Sequence, residues 1–239
     1  AVNVAQISLL DNKELIKKLE PGGEISIGLK EYEYRESQLE MLNMVCSSFN
    51  EDSVSIFEAG TGTGKSLAYL IPSIYWAINN KEKIVVSTNT INLQEQLIKK
   101  DIPFIKKALN LEFKAVLVKG RGNYACLRKI SHLNDGQELF EEYELENKNE
   151  ILKWAETAKT GSKDELGFIP APSLWEKVSS ERDLCIKNKC PNFKECFFYK
   201  ARKEMTTANI LVVNHHLLCS DISIRKSKAD YTTTALLPA

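Results

Sequence analysis

Apolar and polar positions change period along this chain, and the changes sketch an architecture. Between Arg35 and Phe49 the apolar residues Leu39, Leu42, Met44 and Val45 favour a short helix, whereas Ser53–Phe57 alternates as a buried strand does. Further on, Leu67–Ile78 predicts a helix, Ile84–Ser87 a strand, Leu93–Leu109 a helix and Phe113–Val118 a third strand. Strands that alternate with helices imply a parallel sheet, so the expected fold class is α/β. The alternation stops after Gly120-Arg121-Gly122. Asp135–Glu150 is polar, rich in Glu and helix-prone, and strand character returns only at Ile210–Val213. Residues 120–207 are therefore expected as an insertion between two strands of one sheet, with 31–119 and 208–239 forming the parent domain. Residues 1–30 end in Pro21-Gly22-Gly23 without a long periodic run, which predicts a linker or the tail of an upstream domain.

Composition narrows the class. A chain of 239 residues can bury a sizeable core, and its 32 basic and 32 acidic side chains cancel, so a nucleic-acid partner would have to be met by a local patch. The first 20 residues lack the pattern of a secretory signal. The longest strongly apolar stretch, Ser66–Asn80, contains Pro72 and falls short of the roughly 20 residues a spanning helix needs. A cytoplasmic protein with no membrane partner is expected. In that setting six cysteines read as metal ligands or buried thiols rather than disulfides.

Between a predicted strand and a predicted helix stands Ala59-Gly60-Thr61-Gly62-Thr63-Gly64-Lys65-Ser66, which satisfies the phosphate-loop pattern. Glycines let backbone N–H groups turn toward a β-phosphate, and the helix that follows adds the positive end of its dipole. Lys65 would reach the β- and γ-phosphates and Ser66 would ligate Mg²⁺. Some 20 residues upstream, Tyr34-Arg35-Glu36-Ser37-Gln38 resembles the adenine-reading segment of superfamily 2 helicases, so Arg35 and Gln38 join the candidates for ATP. After the second predicted strand, Ser87-Thr88-Asn89-Thr90 resembles the helicase motif that touches the nucleic-acid backbone, and Thr90 or Asn89 could equally cap the next helix.

The cysteines divide unequally. Cys126 is followed after a long gap by Cys185, Cys190 and Cys196, spaced C-x4-C-x5-C. Four thiolates can hold an iron–sulfur cluster or a zinc ion, or can be plain thiols; paired C-x2-C knuckles, usual for structural zinc, are absent. Cys46 and Cys219 fit no ligand pattern and read as buried small hydrophobes. His215-His216 carries no metal spacing, since adjacent residues on a helix point apart and nothing nearby supplies further ligands. Between Lys187 and Lys203, the cations Lys189, Lys194, Lys200 and Arg202 are interleaved with Phe193, Phe197, Phe198 and Tyr199. Cations that follow phosphates would suit single-stranded nucleic acid, and the rings suit core packing better than base stacking. The acidic run Glu138–Glu150 is expected to face away from such a strand.

Taken in order, the phosphate loop, Lys119-Gly120-Arg121-Gly122-Asn123-Tyr124-x-Cys126, the three clustered cysteines and Ala208–Leu218 resemble the DinG/XPD group of iron–sulfur helicases. The likeness covers roughly residues 30–239. It implies a RecA-like P-loop motor domain interrupted by a small, mainly helical cluster domain, with Cys126, Cys185, Cys190 and Cys196 as ligands of a 4Fe–4S cluster. It further implies ATP-dependent unwinding of DNA in the 5′ to 3′ direction, in replication-linked repair. The partner would be single-stranded DNA or DNA with a single-stranded tail, and the protein a monomer. A Walker B Asp-Glu pair and a second motor domain are expected in the family and are not found in this sequence, so these 239 residues alone are not expected to turn nucleotide over. Two other readings stand beside it: a zinc-bearing P-loop ATPase that binds nucleic acid without unwinding, and a redox-sensing DNA-binding module.

Overall fold

The computed structural model describes residues 6–60, 62–133, 142–228 and 235–238. In chain order it gives helices α1 (Asn12–Leu19), α2 (Glu24–Gly28), α3 (Glu36–Asn50) and α4 (Lys65–Asn80), strand β1 (Ile84–Thr88), helix α5 (Ile91–Gln96), a π-helical turn at Leu97–Asp101, helix α6 (Ile102–Ala108) and strand β2 (Ala115–Leu117). There follow α7 (Leu127–His132), α8 (Glu142–Thr157), α9 (Pro172–Val178) and α10 (Phe197–Thr206), and then strand β3 (Ile210–Asn214) and α11 (His215–Lys228). The chain divides into two compact units. One comprises the residues up to Leu117 together with Thr207–Leu237, and the other comprises Val118–Thr206.

In the first unit the sheet is parallel and three-stranded, in the order β1-β3-β2. Ile84 pairs with Ile210 and Thr88 with Asn214 on one side; Ala115 pairs with Ile210 and Leu117 with Val212 on the other. Ile210, Leu211, Val212 and Val213 are all fully buried. That continuous apolar run is what a central strand covered on both faces requires, and each such side chain contributes about 1.5–3 kcal/mol.

Two expectations fail here. Ser53–Phe57 forms no strand, since no described segment pairs beside it. Its alternation is real but inverted: Val54 and Ile56 are 93% and 92% exposed. Residues 1–30 were expected as a linker or tail, but within them Asp11 caps α1 by accepting from the backbone N–H groups of Lys13 and Glu14. Leu15 and Leu19, four apart on one face, then enter the core with Ile25. A two-turn apolar face is too short to stand out as a periodic run. The long helix expected over Leu93–Leu109 is a relay of α5, the π turn and α6.

Aliphatic side chains from α3, α4, α6 and β3 fill the core of the first unit, including Leu42, Leu70, Ile71, Ile74, Ile105 and Ile210. The second unit has its own core, in which Tyr124, Ile151, Leu174, Trp175, Phe197 and Phe198 meet. Among the described residues no helix is long and apolar enough to cross a membrane.

On α11, Asp221 and Arg225 form a buried ion pair, Nε to Oδ2 at 2.6 Å. The other Asp221 oxygen accepts from the backbone N–H groups of Leu236 and Leu237, each at 2.7 Å, and the Arg225 guanidinium donates to the carbonyl of Leu237 at 2.9 Å. Asp221→Ala would leave a buried guanidinium uncompensated and is expected to cost about 3–5 kcal/mol, read as a lower urea midpoint. An unchanged midpoint would show that this clasp adds nothing to stability.

Candidate nucleotide and cysteine sites

The phosphate loop owes its shape to two glycines. Gly62 and Gly64 have φ of +80° and +74°, a region costly for residues with a Cβ, and Gly64 is the residue from which α4 starts. Lys65 and Ser66 are thus the first two residues of the helix, next to its unpaired N–H groups. The Lys65 ammonium donates to the carbonyl of Ala59 at 2.8 Å and also to that of Gly60, and the Thr63 hydroxyl donates to Gly60 at 3.0 Å. Ser66 is hydrogen-bonded to Tyr69, whose hydroxyl pKa is raised by burial and eased back by that bond. Thr61, named above with the loop, lies outside the described residues.

Of the two upstream candidates, Gln38 reaches the loop and Arg35 pairs locally. Gln38 is 6% exposed, and its amide nitrogen donates to the Gly64 carbonyl at 2.8 Å. Arg35, which precedes the first turn of α3, forms an ion pair with Glu33. The Gln38–Gly64 bond was not legible in the sequence, because the two residues stand on different elements.

At the carboxyl end of β1, Thr88 is buried and donates to the carbonyl of Thr90 at 3.1 Å, while Asn89 is exposed. Thr90 caps α5, its hydroxyl oxygen accepting from the N–H of Leu93 at 3.2 Å. Asn214 does the same for α11, accepting from the N–H of Leu217 at 2.7 Å, and Nδ1 of His215 is 2.7 Å from the Ser87 hydroxyl. A cavity of about 890 Å³ lies between β1 and the 53–57 segment, beside the phosphate loop rather than in it, with His215 and Asn89 at its wall.

In the second unit, Cys126, Cys185, Cys190 and Cys196 line one small cavity. The backbone around Cys126 is clamped: the N–H of Ala125 donates to Gly161 at 2.8 Å, that of Cys126 to Val178 at 2.7 Å, and that of Ser180 to Tyr124 at 2.8 Å. Tyr124 is buried edge-on to Phe198, and burial pushes its hydroxyl pKa up to about 12. The other three cysteines sit in successive tight turns. Cys190 closes one onto Lys187, and the N–H of Cys196 donates to Phe193 at 3.3 Å. Cys196 immediately precedes α10. Its pKa is raised, first by burial and also by the negative charge available on Cys126 and Cys185, while the neighbouring backbone N–H groups of Tyr199 and Phe198 offset part of that. Cys185 goes the other way. Burial raises it, but the Lys187 backbone N–H and the nearby Arg121 and Tyr199 side chains favour its thiolate and more than offset that, so its pKa is lowered. Among the described residues no three His, Cys, Asp or Glu side chains converge on a point where one metal ion would sit.

Of the remaining cysteines, Cys46 is fully buried and its thiol is pushed up to about 12. Cys219, expected to be buried as well, is exposed on α11, because the apolar run of β3 ends before it. The rings follow the packing expectation for Phe197 and Phe198, which are buried in the second core; Phe193 packs on Tyr199 at 4.7 Å between centroids. Of the cations, Lys189 and Lys194 are exposed, Lys200 pairs with Glu195, and the Arg202 guanidinium lies 5.6 Å from the Phe198 ring centre. The acidic run Glu138–Glu150 lies partly outside the described residues; within α8, Leu145 and Glu146 are exposed.

A Cβ added to Gly64 would stand 2.0 Å from the Gln38 amide nitrogen at a positive φ. Gly64→Ala is expected to lower stability by about 1–2 kcal/mol in thermal unfolding, and Gln38→Ala added to it should restore part of the loss, since only the clash is relieved. Full additivity of the two changes would contradict that contact. On brief maleimide treatment of the native protein at pH 8, peptide mapping should find Cys219 labelled and Cys46 untouched, as burial and a raised pKa both withhold the thiolate.

Known proteins match on both units. The family described as DEAD/DEAH box helicase matches residues 35–138. The chain is 37% identical over 206 residues to the ATP-dependent DNA helicase YoaA of Haemophilus influenzae, covering 86% of this chain and 32% of that protein. It is 36% identical over 205 residues to the ATP-dependent helicase DinG of Mycobacterium tuberculosis, covering 78% and 31%, and 34% identical over 182 residues to the ATP-dependent DNA helicase DinG of Escherichia coli, covering 67% and 24%. The chain spans about a third or less of the length of these curated relatives. The matched stretch includes the phosphate loop and the helicase segments described above, so the chain carries a DEAD/DEAH box helicase domain and is similar to ATP-dependent helicases of the DinG/XPD type.

Proposed function

We propose that this protein is an ATP-dependent DNA helicase whose first motor domain carries a 4Fe–4S cluster on Cys126, Cys185, Cys190 and Cys196. The observation that carries the reading is the loop Ala59–Ser66, turned by Gly62 and Gly64 so that Lys65 and Ser66 open α4. A helix start with unpaired N–H groups and a mobile ammonium is built for a polyphosphate. On nucleotide binding, Lys65 exchanges the Ala59 and Gly60 carbonyls for the β- and γ-phosphates, and the backbone N–H groups of Gly60–Gly64 surround them. The Ser66 hydroxyl would hold Mg²⁺, which neutralises charge between those phosphates. Gln38 spends its N–H on Gly64 and keeps its amide oxygen as an acceptor for an adenine amino group, so base recognition and loop shape share one side chain. Arg35 stands next to it in sequence for the same role.

DNA is the partner that the relatives' names support, and a single-stranded stretch is the form these side chains suit. Asn89, beside Thr88 and Thr90, would bond the backbone without reading sequence. Lys189 and Lys194 are the better cations, because Lys200 and Arg202 already engage Glu195 and Phe198. Travel from 5′ to 3′, a role in replication-linked repair, a monomeric state and a cytoplasmic location follow from the resemblance.

The donor set fits a cluster. Four cysteines from separate turns line one cavity; burial first, and then the charge available on Cys126 and Cys185, raises Cys196, and a cationic iron–sulfur body would favour its thiolate. A lone zinc needs its sulfurs about 2.3 Å from one point, whereas a four-iron cluster takes one thiolate per iron and tolerates sulfurs that do not converge. Bound there, the cluster would staple the turns around Cys126, Cys185, Cys190 and Cys196 into one grip.

Iron, sulfide and zinc measured on anaerobically purified protein, and DNA-stimulated ATPase measured on a helicase that joins this chain to a Walker B strand and a second motor domain, test both halves. About four irons and four sulfides per chain are expected; one zinc without sulfide would defeat the cluster reading. In a helicase that joins this chain to a Walker B strand and a second motor domain, Lys65→Ala should lower ATPase about 100-fold or more while iron and sulfide stay at the parent level, since the loop and the cysteines belong to different compact units. Loss of iron together with ATPase would contradict that independence.

A further inference from the structure

Ser87 and His215 stand 128 positions apart and meet at the carboxyl edge of the sheet. Strands β1 and β3 run parallel with Thr88 opposite Asn214, so the chain leaves both strands at the same level. Ser87 is the last residue but one of β1 and His215 the first of α11, and Nδ1 of His215 lies 2.7 Å from the Ser87 hydroxyl oxygen. Both belong to the first compact unit. The polar side chains around Asn89 are thereby committed: Ser87 to His215, Thr88 to the carbonyl of Thr90 at 3.1 Å, and Thr90 to the N–H of Leu93 at 3.2 Å. Of these three bonds only the one between Ser87 and His215 reaches a distant part of the chain. Asn89 is exposed in their midst, and its amide makes no hydrogen bond among the described residues.

Resting on the reading of Asn89 as a contact to the backbone of single-stranded DNA, we propose that His215 is a positioning residue for that contact. Through Ser87 it fixes the exit of β1, so that Asn89 presents its amide to a phosphate without first having to be ordered. A group held in its bound arrangement before the ligand arrives loses less freedom on binding, and the saving appears as affinity. The same bond ties the loop after β1 to the start of α11, so the two strand exits act as one edge. Nδ1 is the atom that does this, and either tautomer of the ring serves, because a hydroxyl can donate to Nδ1 or accept from it. Nε2 has no part in the arrangement.

The test is the fluorescence anisotropy of a labelled oligothymidine of about 20 nucleotides, titrated with the protein at one fixed salt concentration, with the melting temperature of every variant measured beside it. His215→Ala and Ser87→Ala are each expected to weaken binding about fivefold, the worth of one hydrogen bond, and the double variant no more than either, since both remove the same bond. Two further variants separate positioning from contact. His215→Asn carries an amide at the reach of Nδ1 and should keep most of the parent affinity, whereas His215→Gln carries it at the reach of Nε2 and should bind as weakly as His215→Ala. Affinity kept by His215→Gln and lost by His215→Asn would overturn the proposal, because the ring would then touch DNA itself. Parent affinity in both His215→Ala and Ser87→Ala, with Asn89→Ala weakened, would also overturn it and leave the Asn89 reading standing. If His215→Ala does not fold, Ser87→Ala decides alone. A parent that does not bind the oligonucleotide, or an Asn89→Ala variant that binds as the parent does, would defeat the Asn89 reading and this proposal with it.

Discussion

The first unit depends on strand β3. Among the described residues strands β1 and β2 do not pair with each other; each pairs with Ile210–Asn214, which lies between them. The chain leaves this unit after Leu117 and comes back at Thr207, so the sheet cannot close until the whole of Val118–Thr206 has been made. Closing so long a loop costs entropy that grows only slowly with its length, but that cost must be met before any β3 contact repays it. The repayment is a run of four fully buried aliphatic side chains and two ladders of backbone hydrogen bonds. The entry to β3 is pinned as well, for the Asn209 side-chain oxygen accepts from the N–H of Lys114 at 3.0 Å while its own N–H donates to the Lys114 carbonyl at 2.8 Å.

The carboxyl edge of that sheet carries much of the candidate chemistry of the first unit. Thr88, Asn89 and Thr90 follow β1, and Asn214 and His215 follow β3, so strand register sets where they stand. The phosphate loop is held differently. Its shape comes from two left-handed glycines and from α3, which sends Gln38 across to Gly64. A side chain that fixes the loop while keeping an acceptor available would tie the nucleotide's base to the loop's geometry without a moving part.

The second unit solves a separate problem, that of bringing together cysteines from distant stretches without a sheet to align them. It uses isolated antiparallel bridges, Tyr124 with Ser162 and Ala125 with Ser179, to fix the strand-like segment before Cys126. The Trp175 indole donates to the Gly122 carbonyl at 2.9 Å and Lys119 bonds Ser162 and Asp164, which hold the preceding glycine-rich turn. Phe197 and Phe198 anchor the start of α10 in the core, and Cys196 is carried at its entrance. The aromatic residues interleaved with the cations, read as suited to core packing, are in large part in that core beside the cysteine turns.

What the amino-acid sequence by itself determined are the features whose physics is local. The phosphate loop is eight contiguous residues, the strands at Ile84 and Ile210 are unbroken apolar runs, and the cysteine spacing stands out because the rest of the chain is poor in cysteine. Alternation at 53–57 was legible too, but whether an alternating segment becomes a strand is settled by a neighbour's hydrogen bonds, and Val54 and Ile56 face outward without one. The α1 and α2 faces were too short to announce themselves, and Cys219 looked like its apolar neighbours until the helix turned it outward. Only the tertiary structure decided the pairings of Gln38 with Gly64, Asp221 with Leu236 and Leu237, and Ser87 with His215. Each joins groups that stand apart along the chain, and a polar group reveals its partner only when folding has brought the two within hydrogen-bond reach and removed the water that would otherwise satisfy both.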